Sequence, residues 1–560
     1  MDFSNVVDIQ SKPGRVARPT TAFSAELRRL AGFLRPLALY LALGFATLSC
    51  SRGGYWIPPQ AEEPAPTGFI PLVEASVTQA SPVETQAVPP PPGGADPAPQ
   101  GTALPFGLPT STIPPVTTAP ILYYSQAADT LPLVAVRFGV QPEEITSPDP
   151  LHPAALLPPN QLLIIPRRLA NTTSSQHLLP DSELVYSPSA IDFDVQAYVD
   201  QAGGYLSRYK EWLHSTKTTT GAEIIQRVSI ENSINPRLLL ALLEYQSHWV
   251  LGQPANLAET DYPMGVIDLN QKGLYRQLIL AVNQLSIGYY RWREGRITEL
   301  RFIDGLTARL APDLNAGTVA LQYYFARLYD GPRWVQALDQ EGGFPSLYER
   351  MFGSPWLRAQ AVEPLYPPGL EQPRMILPFQ VGRLWSFTGG PHGAWEHDGS
   401  YAALDFAPGS SEPGCVKSNA WATAAAAGQV VRSGNGVVAL DLDGDGYEQT
   451  GWVLLYLHVS SEKRVPVGTW VAVGDPLGHP SCEGGISTGT HIHLARKYNG
   501  EWIAADGPMP FVLSGWRAYA GQTAYQGKLT REEETIPACT CASFETRITR
   551  APDDPYEAGY

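Results

Sequence analysis

Two histidines one residue apart, His491 and His493 in Thr490-His491-Ile492-His493, constrain their surroundings more than any other feature of the chain. On a β-strand the side chains at i and i+2 leave the same face, so both imidazoles can address one point. Imidazole is a frequent metal ligand. Six of the ten histidines fall between positions 392 and 493. A metal centre carried on β structure is therefore the first expectation. The flanks agree with it: residues 429–433, 436–442 and 452–458 have strand-like apolar content with turn signals between them.

Further ligand types lie upstream. Thr388-Gly389-Gly390-Pro391-His392-Gly393 comes first, then Ala403-Leu404-Asp405-Phe406-Ala407, then Leu455-Tyr456-Leu457-His458. With the histidine pair, these four ordered elements resemble the lysostaphin/β-lytic (LytM-like) zinc endopeptidases, which cut peptide cross-links in bacterial peptidoglycan. The resemblance covers residues 375–515, about a quarter of the chain. It implies Zn2+ as cofactor, with His392, Asp405 and His493 as ligands and an open fourth position. It implies His458 and His491 as the catalytic pair that handles a proton and steadies the oxyanion. Many family members carry a tight His-x-x-x-Asp. Here Asp405 follows His392 by thirteen positions, as in the β-lytic subgroup. His397 is the rival first ligand, and the Gly-Gly-Pro-His context favours His392. The remaining histidines, His152, His177, His214, His248 and His479, read as surface or satisfied core residues.

The length of 560 residues implies about three domains. The net charge of −15 argues against nucleic acid as a partner. Arg28, Arg29 and Arg35 precede an apolar run at 36–48 and then Ser49-Cys50-Ser51. That run is short for a membrane span and reads as an export signal. The small residue before Cys50 suggests a lipoprotein, attached to a membrane through acylated Cys50 and facing the cell wall; an ordinary signal peptide or an uncleaved signal-anchor is the alternative. Five cysteines support this, since setting Cys50 aside leaves two pairs. Cys415 and Cys482 could bridge two loops of the peptidase region, and Cys539-Thr540-Cys541 could close a small ring.

The expected organisation is multidomain. Residues 1–50 form the export segment, and 51–119 form a proline-rich linker that cannot bury enough apolar surface to fold. As polyproline II it would reach on the order of 200 Å. Residues 120–168 resemble a LysM module, a small βααβ glycan-binding unit, through Ala128-Asp129-Thr130-Leu131, Val136-Arg137-Phe138-Gly139-Val140 and Pro159-Asn160-Gln161-Leu162. Ala127-Ala128 replaces the usual Pro-Gly there. Residues 190–360 carry apolar residues at helical spacing, and Ser233-Ile234-Asn235-Pro236 resembles the opening of the lytic transglycosylases, an α-helical lysozyme-like fold. The family's catalytic Glu-Ser is Gln246-Ser247 here, so the resemblance implies an inactive domain. Its tyrosines and tryptophan, Tyr289, Tyr290, Trp292, Tyr323 and Tyr324, either line a glycan groove or pack as helix core, and the core reading is favoured. Residues 370–520 form the mostly antiparallel β zinc-peptidase domain, and 521–560 a C-terminal extension. Asp441-Leu442-Asp443-Gly444-Asp445-Gly446 imitates half a calcium loop, but Trp452 stands where the loop's bidentate Glu belongs, so a polar hairpin is the default.

The leading function is an exported zinc metalloendopeptidase whose partner is peptidoglycan. The alternatives are a non-catalytic peptidoglycan-binding factor that activates other wall hydrolases, and a muramidase acting through 190–360.

Overall fold

Ile121–Tyr124 (β1) and Leu162–Ile165 (β2) pair antiparallel and set off the first packed unit. Here the computed structural model begins; it describes residues 119–395 and 398–552. The export segment with Cys50, the proline-rich stretch to residue 118, and His397 lie outside the described residues. Between β1 and β2 runs helix α1 (Leu131–Phe138). The Thr130 hydroxyl caps it by accepting the Leu133 amide, and Gly139, at φ 67°, ends it in the left-handed region. Pro132 sits in the first turn, where no amide is needed. The second expected helix is only a 3-10 turn, Pro142–Glu144, with no buried residue to anchor a longer one. Arg137 leaves α1 inward. It pairs with Asp129 at 2.8 Å and donates to the Trp292 carbonyl at 3.1 Å, so the unit is docked on the helices that follow.

Those helices include α2 (Gly221–Asn232), α3 (Pro236–Ser247), α4 (Leu274–Arg293) and α5 (Ala316–Ala326). Thr220 and Glu223 form a capping box at the start of α2, and Asn235 with Pro236 opens α3. Helices α4 and α5 touch at Gly288, where a Cβ would stand 2.8 Å from the Ala320 Cα. Only glycine allows that approach. Tyr289, Tyr290, Trp292 and Tyr324 are buried and Tyr323 packs against the same core, so these rings are core and line no groove.

The C-terminal third pairs into a nine-stranded antiparallel sheet. Its main strands are β3 (Leu384–His392), β4 (Ala403–Pro408), β5 (Gly428–Gly434), β6 (Val437–Asp441), β7 (Trp452–Leu457) and β8 (Ile492–Tyr498). Across the sheet the order is β5-β6-β7-β8-β4-β3, with Trp470–Val471 outside β5 and Arg547–Thr549 outside β3. The last strand therefore draws part of the expected C-terminal extension into the sheet. Both faces are covered. Val453, Leu455 and Leu457 of β7 point into the core shared with the helices, while Leu454 and Tyr456 point into a second core. Two-sided burial is why this run reads as continuously apolar rather than alternating.

The helical region is thus built onto one sheet face. Apolar contact carries most of that junction, since buried ion pairs roughly break even against their desolvation. The polar contacts fix its register. Arg293 bonds Asp181 at 2.9 Å and Glu501 at 3.1 Å, and the Ser233 hydroxyl donates to the Gly500 carbonyl at 2.6 Å. Glu363 lies at the same junction, accepting the Ser182 amide at 2.8 Å. Burial, and then the nearby Asp181 charge, push its carboxyl up to about 7. Its folded value lies above the unfolded one, so its stabilising contribution is full in acid and is lost as pH rises from about 4.5 towards 7. We predict that Glu363→Gln, which keeps the acceptor, gains up to about 3 kcal/mol over wild type at pH 8 and almost nothing at pH 4.5. Urea melts at the two pH values test this; an identical difference at both would refute it.

Candidate metal centre

The sheet register gathers the predicted ligands. His493 of β8 stands opposite Asp405 of β4 and, on its other side, opposite Leu457 of β7. Gly389 of β3 stands opposite Asp405, and His392 ends that strand. A Cβ on Gly389 would fall 2.5 Å from Asp405 Oδ2, so the first glycine of the Gly-Gly pair makes room for the carboxylate. Asp405 and His493 project from the face that also carries Ala403 and Ala495, the face the helices cover. The centre therefore lies at one end of the covered face.

His392 Nε2 lies 3.0 Å from His493 Nδ1, and Asp405 Oδ1 lies 3.3 Å from each. All three residues are buried. A tetrahedral zinc with bonds of about 2.0–2.1 Å places its ligand atoms roughly 3.3 Å apart. The outward nitrogens set the tautomers. His392 Nδ1 donates to the Gly390 carbonyl at 2.8 Å, and His493 Nε2 donates to the Ala394 carbonyl at 2.9 Å. Each ring then turns an unprotonated nitrogen inward. Asp405 Oδ1 is buried and receives no hydrogen bond among the described residues. Burial alone would raise the Asp405 carboxyl, but His392 and the other histidines outweigh it and hold it well below the usual range. With both rings neutral in these tautomers, three electron-pair donors face one another, an arrangement that suits a divalent cation. His397 is outside the described residues, and the centre assembles around His392.

His458 and His491 form a second pair beside the first. Their ring centroids are 4.5 Å apart, and His491 Nε2 is 3.7 Å from Asp405 Oδ1. Here too backbone carbonyls hold Nδ1: Gly489 for His491 at 2.7 Å and Glu483 for His458 at 3.1 Å. Among the described residues, neither Nε2 makes a hydrogen bond. Burial, then the neighbouring His491 and His493, push His458 down to about 3, so it is a neutral acceptor. His458 also adopts φ 66°, a left-handed conformation that costs a non-glycine residue on the order of 1–2 kcal/mol. Glu483 holds this loop twice. Its carboxylate accepts the Ser461 amide at 2.8 Å, and its neighbour Cys482 is bonded to Cys415.

Sequence reasoning missed Tyr525. Its ring stacks on His392 with centroids 4.1 Å apart and planes at 23°. Its amide and carbonyl bracket the end of β3, bonding Pro391 and Gly390. Burial, then the Asp405 charge, push its hydroxyl upward, which keeps it a proton donor. A lone tyrosine in a loop, outside the expected peptidase boundary, carries no spacing signal. Glu483 and the carbonyls of Gly390, Ala394 and Gly489 were equally invisible, because backbone groups have no side-chain signature.

The other candidates lie elsewhere. His479 bonds the Ala420 carbonyl at 2.7 Å and packs on Trp421, as a satisfied core residue does. His152, His177, His214 and His248 are exposed. Asp441, Asp443 and Asp445 approach within 4.8 Å of one another. Asp441, however, accepts the amides of Asp443, Gly444 and Gly446, the pattern of a polar turn between β6 and β7. Cys539 and Cys541 are bonded to each other.

Known proteins place this geometry in context. A family model described as LasA, N-terminal domain, matches residues 177–365. Protease LasA of Pseudomonas aeruginosa (strain UCBPP-PA14) is 28% identical over 349 residues, covering 59% of this chain and 75% of that protein. The β-lytic metalloendopeptidase of Lysobacter enzymogenes is 26% identical over 155 residues, covering 28% of this chain and 84% of that one. This chain is a metalloendopeptidase. Among solved structures, the M23 metalloprotease pseudoalterin is 25% identical, with a TM-score of 0.26, over 30% of this chain and 96% of that one. The LasA-type match takes in the helical region expected from the sequence to be lysozyme-like.

Proposed function

We propose that this metalloendopeptidase is an exported zinc enzyme that hydrolyses peptide bonds in peptidoglycan stems or cross-bridges. The observation that carries the reading is the convergence of His392, Asp405 and His493 at tetrahedral spacing beside the paired rings of His458 and His491. Bound there, zinc would supply Lewis acidity and a water of lowered pKa. The protein's own part is positional. The Gly390 and Ala394 carbonyls fix the ligand rings, while Gly489 and Glu483 fix His491 and His458 with Nε2 available. One of these two Nε2 atoms accepts a proton as the nucleophile forms, and the pair returns it to the leaving amine. The Tyr525 hydroxyl and the protonated imidazole offer hydrogen bonds to the developing oxyanion.

The reading of a non-catalytic activator fits less well, because all five metal and proton-handling positions are filled. The muramidase reading is weaker still. Gln246 bonds Tyr329 at 2.8 Å, and Glu244 accepts the Val250 and Leu251 amides at 2.9 and 2.8 Å. That carboxylate clamps a turn and is not poised as an acid. On the same proposal, the LysM-like unit at 120–168 contributes glycan targeting. Cys50 provides a lipid anchor, and residues 51–119 the tether. Mass spectrometry of fragments released from purified sacculi tests the function. New peptide amino termini are expected; new reducing sugar ends without them would replace the proposal by the muramidase reading.

A further inference from the structure

A cleft of about 710 Å³ opens between the helical region and the β5–β6 hairpin. Its size and its place at an internal junction suit a ligand site. Its apolar lining includes Phe193, Val195 and Ile230, and its polar lining Thr218, Gln226 and Asn435. The Thr218 hydroxyl and the Asn435 amide have no hydrogen-bond partner among the described residues. Charges in the lining are already engaged. Arg227 pairs with Glu231 at 2.9 Å and Arg432 with Glu448, while Asp194 and Glu223 cap their helices. An anionic ligand would find no free cation there, and a cationic one no free carboxylate. A neutral ligand with apolar faces and hydroxyl or amide edges matches the lining.

The cleft lies at the metal end of the sheet. Val437, at its edge, belongs to the covered face, as do Leu457 and His493. Strands β6, β7 and β8 are neighbours, so Val437 and His493 are two strand spacings apart, roughly 10 Å. The β5–β6 turn also backs directly onto the catalytic loop. The Val459 amide donates to the Gly436 carbonyl at 2.9 Å, and a Cβ on Gly436 would stand 2.2 Å from the Glu483 carbonyl oxygen, the atom that holds His458.

We infer that this cleft binds the neutral amino-sugar backbone of the substrate while the attached peptide reaches the metal centre. The inference rests on the peptidoglycan reading and adds a second subsite on the glycan. A polymer whose sugar chain carries peptide branches would then be held at two places a short distance apart. Its recognition would not depend on the cut peptide alone.

The test uses the full chain with tetra-N-acetylchitotetraose in titration calorimetry, and with a short glycan-free peptide and intact sacculi as substrates. Thr218→Ala with Gln226→Ala removes two hydrogen-bonding groups, and Thr218→Trp fills the cleft. Each is expected to weaken tetrasaccharide binding about ten-fold or more. Each should raise KM on sacculi with kcat unchanged, and leave hydrolysis of the short peptide as in wild type. Absent binding, or binding that both variants leave intact, overturns the inference and points to another glycan site such as the LysM-like unit. Tighter binding of the short peptide than of the tetrasaccharide in the cleft would overturn it in favour of a peptide subsite. The two readings fail separately. Cleft-dependent sugar binding without any peptide hydrolysis sinks the peptidase proposal alone, and hydrolysis without sugar binding sinks the cleft alone.

Discussion

His493→Ala is expected to strip the protein of its metal and of peptide hydrolysis together. The substitution removes one of three ligand atoms from a buried centre whose other two, His392 Nε2 and Asp405 Oδ1, lie 3.3 Å apart. Two ligands hold a catalytic ion poorly, and among the described residues no replacement imidazole faces the gap: His491 is tied through Nδ1 to Gly489. Lewis-acid stabilisation of transition-state charge amounts to several kcal/mol, so the rate should fall on the order of a thousand-fold or more. Elemental analysis of the purified variant beside its hydrolysis rate checks this. A variant that keeps stoichiometric zinc would overturn the ligand assignment.

His491→Ala should separate the two roles. Its Nε2 lies 3.7 Å from Asp405 Oδ1, its ring is 4.5 Å from the His458 ring, and it is not one of the three residues whose donor atoms all converge. The metal should remain, while turnover falls by about 10²–10⁴, the usual worth of a positioned proton-transfer group. Loss of zinc from this variant, or turnover within a few-fold of wild type, would count against the assignment. Comparing the two variants on one substrate guards against misfolding, since His491→Ala leaves the buried ligand set intact.

The convergence of His392, Asp405 and His493 was legible in the sequence for a physical reason. His392, Asp405 and His493 each sit on or at the end of a short apolar strand, and His491 stands directly before β8, two residues from His493, so spacing alone brings the pair close. The strands at 428–434, 437–441 and 452–457 were equally readable from apolar runs between turns. The junction between helices and sheet was not. Val453 and Leu454 look alike in a sequence, yet one faces the helices and the other the far core. The same limit hid the role of Tyr289, whose hydroxyl bonds Glu501 at 2.9 Å across that junction. The reach of the peptidase fold was underestimated because Arg547–Thr549 is three residues long, too brief for a pattern, and gains its conformation from pairing with β3. Gln246, by contrast, was read correctly as no acid, since chemistry at a single position needs no long-range information.

The crosslink between Cys415 and Cys482 has a temporal implication. Such bonds form outside reducing compartments. The residue after Cys482 supplies the carbonyl that orients His458, so in a freshly made thiol form that imidazole rests on a less restrained segment. If the proposed function holds, full competence would be acquired at the destination rather than at synthesis, and the producing cell would be spared the enzyme's action until the bond has formed.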